Sequence, residues 1–224
     1  VVSIISAGIA PGFALLSYFY LRDDYGKEPL KEVLRVFLLG AILVFPIMFI
    51  QYVIDVEQVL PNDFLRTVIS FGFLEEFFKW FFLFYTVYKF MDFDEHYDGI
   101  VYGVSISLGF ATVENILYLF SYGLEYAIGR AFFPVSSHAI FGVIMGYYFG
   151  KAKLTRNGDQ DYWLFLSFFI PFMLHAMYDF ILQFDRYWFY ITVPFMIFLW
   201  WIAMRKVKKA KHVLNHSQER NITY

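Results

Sequence analysis

The chain has 224 residues, of which 59% are hydrophobic, 24% aromatic and only 17% charged, with a net charge of -2 and a mean hydropathy of +0.53. So few charges exclude the polar surface that a soluble domain of this size requires, and they gather in short clusters between apolar stretches of membrane-spanning length. The absence of cysteine excludes disulfides and thiolate metal sites, and the small net charge singles out no class of charged partner.

In chain order, the apolar segments run over roughly 1–21, 34–54, 64–91, 99–121, 131–150, 162–182 and 187–204. Each is about long enough to cross a bilayer as a helix, which predicts an all-α, polytopic membrane helix bundle of about seven transmembrane helices. The first segment lacks the basic start and small-residue cleavage site of a secretory signal and reads as a span. Pro11, Pro46, Pro171 and Pro194 fall inside segments, a placement that membrane helices tolerate. The third segment is long enough to tilt or to extend beyond the bilayer, and 121–131 leaves room for an interfacial or re-entrant helix. With no Gly/Ser-rich or Pro-rich linker, residues 1–224 read as one integral membrane domain with a basic tail over about 205–224.

Basic residues set the expected orientation. Arg22, Lys27, Lys31 and Arg35 separate spans one and two, Lys89 ends span three, and Lys151, Lys153 and Arg156 separate spans five and six. The tail adds Arg205, Lys206, Lys208, Lys209, Lys211 and Arg220, making fourteen on one side against Arg66, Arg130 and Arg186 on the other. The positive-inside rule then predicts an outside N-terminus and a cytoplasmic C-terminus. The tail reads as a topology determinant that contacts anionic lipid rather than nucleic acid, and the Phe and Tyr residues as lipid-facing bulk and interfacial belt.

Seven ionisable residues fall inside spans: Glu75, Glu76, Lys79, Glu114, His138, His175 and Asp179. A charge at the bilayer centre costs about 2.5–3.5 kcal/mol on insertion scales, so such residues mark function by default. They also share coherent helix faces. Gly72, Glu76 and Lys79 lie on one face with Glu75 at its edge, and His175 and Asp179 are four apart on the face of Pro171 and Ser167. His138 begins a four-residue series with Gly142, Gly146 and Gly150, a small-residue ridge that admits a close neighbour and turns the histidine inward. Glu114 shares its face with Gly103 and Ser107. Counted from the outer ends of their spans, Glu114, His138 and His175 lie at a common depth of roughly 10 Å at 1.5 Å per residue.

Four ionised carboxylates against Lys79 leave three charges that only protons or a cation can neutralise. His, Glu and Asp suit zinc, and two His plus a carboxylate leave a position for water. A metal-bound water has its pKa lowered to about 7, and a nearby Glu can take its proton. The HExxH signature is absent, so ligation is inferred from composition of the cluster rather than from a motif.

The stretch Gly72-Phe73-Leu74-Glu75-Glu76-Phe77-Phe78-Lys79 resembles the EExxK motif of the PrsW intramembrane proteases. Phe110-Ala111-Thr112-Val113-Glu114-Asn115 resembles their second motif, while His138 and His175-Ala176-Met177-Tyr178-Asp179 resemble the third and fourth. The similarity extends over nearly the whole chain, including Asp98-Gly99-Ile100-Val101-Tyr102-Gly103. It implies a multi-pass protease of the bacterial cell membrane, in a superfamily that includes the CAAX prenyl proteases. It further implies the first (site-1) cut in a single-pass membrane anti-sigma factor, after which a second intramembrane protease acts and the sigma factor is released. Carried over residue by residue, Glu75 or Glu76 becomes the general base. The prenyl proteases have His where this chain has Glu114 and Asn where it has Asp179, so both a metalloprotease and a glutamate-protease reading stay open.

The combined expectation is an intramembrane endopeptidase in which Glu75 and Glu76 activate water and zinc is held by Glu114, His138 and His175. Asp179 orients His175 or completes the coordination, with Lys79 and Asn115 in support. Simpler roles compete at each position. Lys79 pairs with a glutamate at helical spacing, His138 hydrogen-bonds a neighbouring helix, and His175 with Asp179 forms a self-contained pair. Glu95, His96 and Asp98 read as a solvated loop. The rival function is a proton- or cation-coupled transporter, which would show inverted repeats and broken helices; no internal repeat is visible. A non-catalytic scaffold would not need so many buried ionisable groups.

Overall fold

The computed structural model describes residues 1–23, 26–90, 95–155, 158–184 and 186–222, with side chains as far as residue 211. Seven helices follow one another: α1 (Val2–Leu21), α2 (Leu30–Val56), α3 (63–88), α4 (His96–Tyr122), α5 (Leu124–Leu154), α6 (Gln160–Leu182) and α7 (Trp188–Ile222). Among the described residues there is no strand. Helices α1, α2, α4, α5, α6 and Trp188–Lys211 of α7 are each long and apolar enough to cross a membrane. The third predicted span is a composite, α-helical over Asp63–Arg66 and Leu74–Leu83 but π-helical over Thr67–Phe73 and Phe84–Tyr88. Its first turn is fixed by Asn62, whose side chain accepts a 2.8 Å hydrogen bond from the Leu65 N–H, the arrangement expected of an N-cap. Each of the four prolines noted above sits inside its helix.

The centre of the bundle is α4. Its residues are buried without interruption from Tyr97 to Thr112, as a helix apolar all round must be, and α1, α2 and α5 pack around it. Glycine makes this possible. A Cβ at Gly103 would lie 2.4 Å from the Gly142 carbonyl oxygen, and one at Gly146 would lie 2.0 Å from that of Gly99. The ridge on α5 therefore meets a second small-residue ridge on α4 at backbone contact, a packing mode common between membrane helices. On the opposite flank, a Cβ at Gly109 would lie 1.9 Å from the Phe37 carbonyl of α2.

These contacts predict a steep mutational contrast. Gly146→Leu is expected to cost about 1–3 kcal/mol or more through overpacking, read as a lower thermal midpoint in detergent. Gly129→Ala, whose Cβ meets nothing within 4 Å, is expected to leave the midpoint unchanged.

Four readings are refined. Segment 121–131 adds no further span: Gly123, at φ +109°, ends α4, and Leu124–Tyr126 and Ala127–Arg130 lead straight into the rest of α5. Glu95, His96 and Asp98 are not a solvated loop, because Glu95 and Asp98 form a capping box at the start of α4 and Asp98 is only 2% exposed. The start of the basic tail also packs on the bundle: Val207 and Ala210 are buried, and the Lys206 ammonium donates a 2.8 Å hydrogen bond to the Tyr148 hydroxyl. Several aromatics do more than face lipid, since Phe73, Phe77, Phe168 and Phe172 interlock edge to face between α3 and α6. Met91 and Arg156 lie outside the described residues, and of Arg220 only the helical backbone is described.

Candidate functional site

Two of the π-helical segments end just before ionisable side chains. Thr67–Phe73 precedes Glu75 and Glu76 in α3, and Ala131–Val135, with Pro134 inside it, precedes His138 in α5. A π turn takes in an additional residue and is found disproportionately at functional sites; here each one re-phases the helix so that the following turn faces the bundle. Gly72 closes the other side of the junction, with a hypothetical Cβ only 2.9 Å from that of Ala176. This draws α3 against α6 beside His175.

The side chains converge. Glu76 and Lys79 are fully buried and ion-paired, while Glu75, His138 and His175 are 4–6% exposed. The Nδ1 atom of His175 lies 2.8 Å from Glu76 Oε1, and its Nε2 lies 3.2 Å from Asp179 Oδ2 and 3.9 Å from Glu75 Oε2. His138 presents Nδ1 to the Lys79 ammonium at 3.3 Å and Nε2 to Glu114 Oε2 at 3.1 Å. The two imidazoles stand 5.0 Å apart and nearly perpendicular. Phe141 stacks on His175, and the Lys79 ammonium sits 4.8 Å from the centre of the Phe110 ring, so aromatic rings wall part of the cluster.

All eight residues picked out from the sequence are thus in one neighbourhood, but they are not equivalent. One donor atom each from Glu75, His138 and His175 falls within 4.8 Å of the others, making a buried group able to hold a metal ion. Glu114 does not belong to that group. Its side chain is 34% exposed at the rim and is paired with Arg130. Asn115 is buried and donates to the Gly8 carbonyl at 3.0 Å while accepting from Arg130 Nε at 2.8 Å, which ties α1, α4 and α5 together.

Two site residues escaped the sequence reading. Arg130, taken there as a charge outside the membrane, is only 9% exposed and reaches into the cluster. Gln51 of α2 donates to Glu75 Oε1 at 3.1 Å and to the Ser70 carbonyl at 2.9 Å. The available signal for Gln51 was a lone amide at the end of an apolar run; for Arg130 there was none.

Residues 28–203 match the family described as PrsW family intramembrane metalloprotease. The chain belongs to that family. It is 58% identical over 211 residues to Protease PrsW of Bacillus subtilis (strain 168), covering 94% of this chain and 97% of that protein. Protease PrsW of Geobacillus kaustophilus (strain HTA426) is 57% identical over 209 residues, with 93% and 92% covered. Protease PrsW of Clostridioides difficile (strain 630) is 35% identical over 217 residues, with 92% and 90% covered. No solved structure matches the chain. Membership in this family makes the chain a membrane endopeptidase, and Glu75, His138 and His175 form a group that could hold a metal ion.

Proposed function

We propose that the chain is a single-domain intramembrane endopeptidase making the site-1 cut in a single-pass membrane anti-sigma factor, and that its buried cluster holds zinc. The observation that carries the catalytic reading is the convergence of Glu75, His138 and His175 from three different helices on one buried point. The substrate follows from the resemblance of the four motifs.

The cluster fits a divalent cation on two grounds. Glu75 Oε2 and Glu76 Oε2 are buried and accept no hydrogen bond, a costly state for carboxylate oxygens. Secondly, among the described residues the cluster of Glu75, Glu76, Glu114 and Asp179 holds two fixed cations, Lys79 and Arg130, so neutral histidines leave two negative charges to be balanced. Each histidine also gives one ring nitrogen to a glutamate, Nδ1 of His175 to Glu76 and Nε2 of His138 to Glu114. That is the carboxylate–histidine pattern that orients metal ligands.

In this reading Glu75, His138 and His175 hold the ion and Asp179 stands beside them at the rim. Glu114 becomes the orienting partner of His138 rather than a ligand. A bound zinc would act as a Lewis acid and lower the pKa of a water. Glu76 is the general base: Lys79 and His175 fix Oε1, leaving Oε2 to take the proton from water and pass it to the leaving amine.

The expected topology is an outside N-terminus and a cytoplasmic C-terminus. Arg130 is engaged by Glu114, so Arg66 and Arg186 alone remain of the three charges opposing that arrangement. Co-expression with a tagged single-pass anti-sigma factor tests the function. Wild type is expected to shorten the substrate on a blot, and the Glu75→Gln/Glu76→Gln variant to leave it intact. Equal shortening by both would overturn the assignment of the glutamates, and insensitivity of purified enzyme to chelation would overturn the metal.

A further inference from the structure

Arg130 is a buried cation in a stretch of irregular helix, and a desolvated guanidinium is retained only where it is fully engaged. Its engagement is specific. One terminal nitrogen, Nη2, lies 3.2 Å from Glu114 Oε1, Nε donates to Asn115 Oδ1 at 2.8 Å, and the guanidinium carbon sits 4.0 Å from the centre of the Tyr118 ring. Asn115 is anchored in turn to the Gly8 carbonyl of α1. The Glu114 carboxylate is therefore shared, with Oε1 held by Arg130 and Oε2 by Nε2 of His138. Arg130 and His138 lie on the same helix, α5, on either side of the π turn Ala131–Val135. The three residues close a ring between α4 and α5 across that turn.

We infer that Arg130 is a positioning residue that clamps Glu114 and, through it, fixes the ring of His138 for metal binding. Glu114 alone, one-third exposed at the rim, has solvent as an alternative partner. Arg130 removes that freedom by holding the carboxylate's second oxygen while Tyr118 and Asn115 hold the guanidinium flat. A lysine at this position would keep the charge but not the fork, which must meet Glu114 and Asn115 at once. The inference rests on the metal reading given above for its zinc readout, and on the glutamate–histidine geometry for the rest.

The test is a double-mutant cycle on purified protein, with zinc affinity measured by competition with a fluorescent chelator and cleavage of the tagged single-pass substrate resolved into kcat and KM. Arg130→Lys, Arg130→Gln and Glu114→Gln are each expected to weaken zinc binding about tenfold or more, the usual consequence of losing a ligand's outer partner. Each should lower kcat rather than raise KM. If Arg130 acts through Glu114, the double variant is no worse than either single one. Wild-type zinc affinity and kcat in Arg130→Gln, or losses that multiply in the double variant, would overturn the inference. Should Arg130→Gln fail to accumulate, Arg130→Lys carries the cycle, and wild-type kcat and affinity in that variant would overturn the inference that the guanidinium fork positions Glu114. A wild type that binds no zinc refutes the metal reading separately, and the cycle on kcat then decides the role of Arg130.

Discussion

Glu76→Gln is expected to reduce cleavage by about 10²–10⁴-fold, the range associated with loss of a general base, while zinc still binds at saturating concentration, its affinity lowered about tenfold by the loss of the carboxylate that orients His175. The amide preserves the shape of the side chain, so its contact with His175 Nδ1, 2.8 Å in the native protein, survives in altered form. What disappears is a carboxylate oxygen free to take a proton. Glu75→Gln makes the informative contrast. Glu75 contributes to the donor group with His138 and His175, and its Oε1 is already held by Gln51, so the substitution removes a ligand and both metal and cleavage are expected to fall. Measuring bound zinc per polypeptide alongside single-turnover cleavage separates the roles. Loss of metal in Glu76→Gln with retention in Glu75→Gln would exchange them, and full cleavage in both variants would sink the glutamate mechanism altogether.

Why spacing could find the cluster but not assign its roles is visible in α3 and α5. The four-residue intervals from His138 to Gly150 and from His175 to Asp179 project correctly because Ser136–Leu154 and Gln160–Leu182 are regular α-helix. In α3, by contrast, the π turn Thr67–Phe73 shifts the phase of all that follows, and a period of 3.6 residues cannot register an inserted one. Glu75 lies at the edge of the face that Glu76 and Lys79 share, 6% exposed against their 0%, and what spacing could not show is that this edge meets His138 and His175. Arg130 was hidden for the same reason and for a second one. It lies near the beginning of a helix, beside Gly129 and short of Pro134, where charge counting places residues in water. Only the fold shows that a cation there reaches Glu114. Gln51 and Glu75 pair across 24 positions of chain, a relation no local pattern encodes.

Lys79→Met is expected to destabilise the folded protein by about 3–5 kcal/mol, because removing one member of a buried ion pair strands the other. The ammonium is fully buried and ion-paired with Glu76, lies 4.0 Å from Glu75 Oε2, and stands 3.3 Å from Nδ1 of His138. Methionine fills a similar volume, so the loss measures charge rather than packing. Without Lys79, Glu75 and Glu76 would confront each other as adjacent anions in an apolar wall. Two consequences follow that a simple packing defect would not produce. Adding Glu76→Gln to Lys79→Met should restore much of the thermal midpoint in detergent by removing the stranded charge. Saturating zinc should also raise the midpoint of Lys79→Met more than that of wild type, since an ion held by Glu75, His138 and His175 would supply positive charge beside the position the ammonium leaves. A Lys79→Met protein as stable as wild type, or one that Glu76→Gln weakens further, would show that this lysine is not the counter-ion of the glutamate pair.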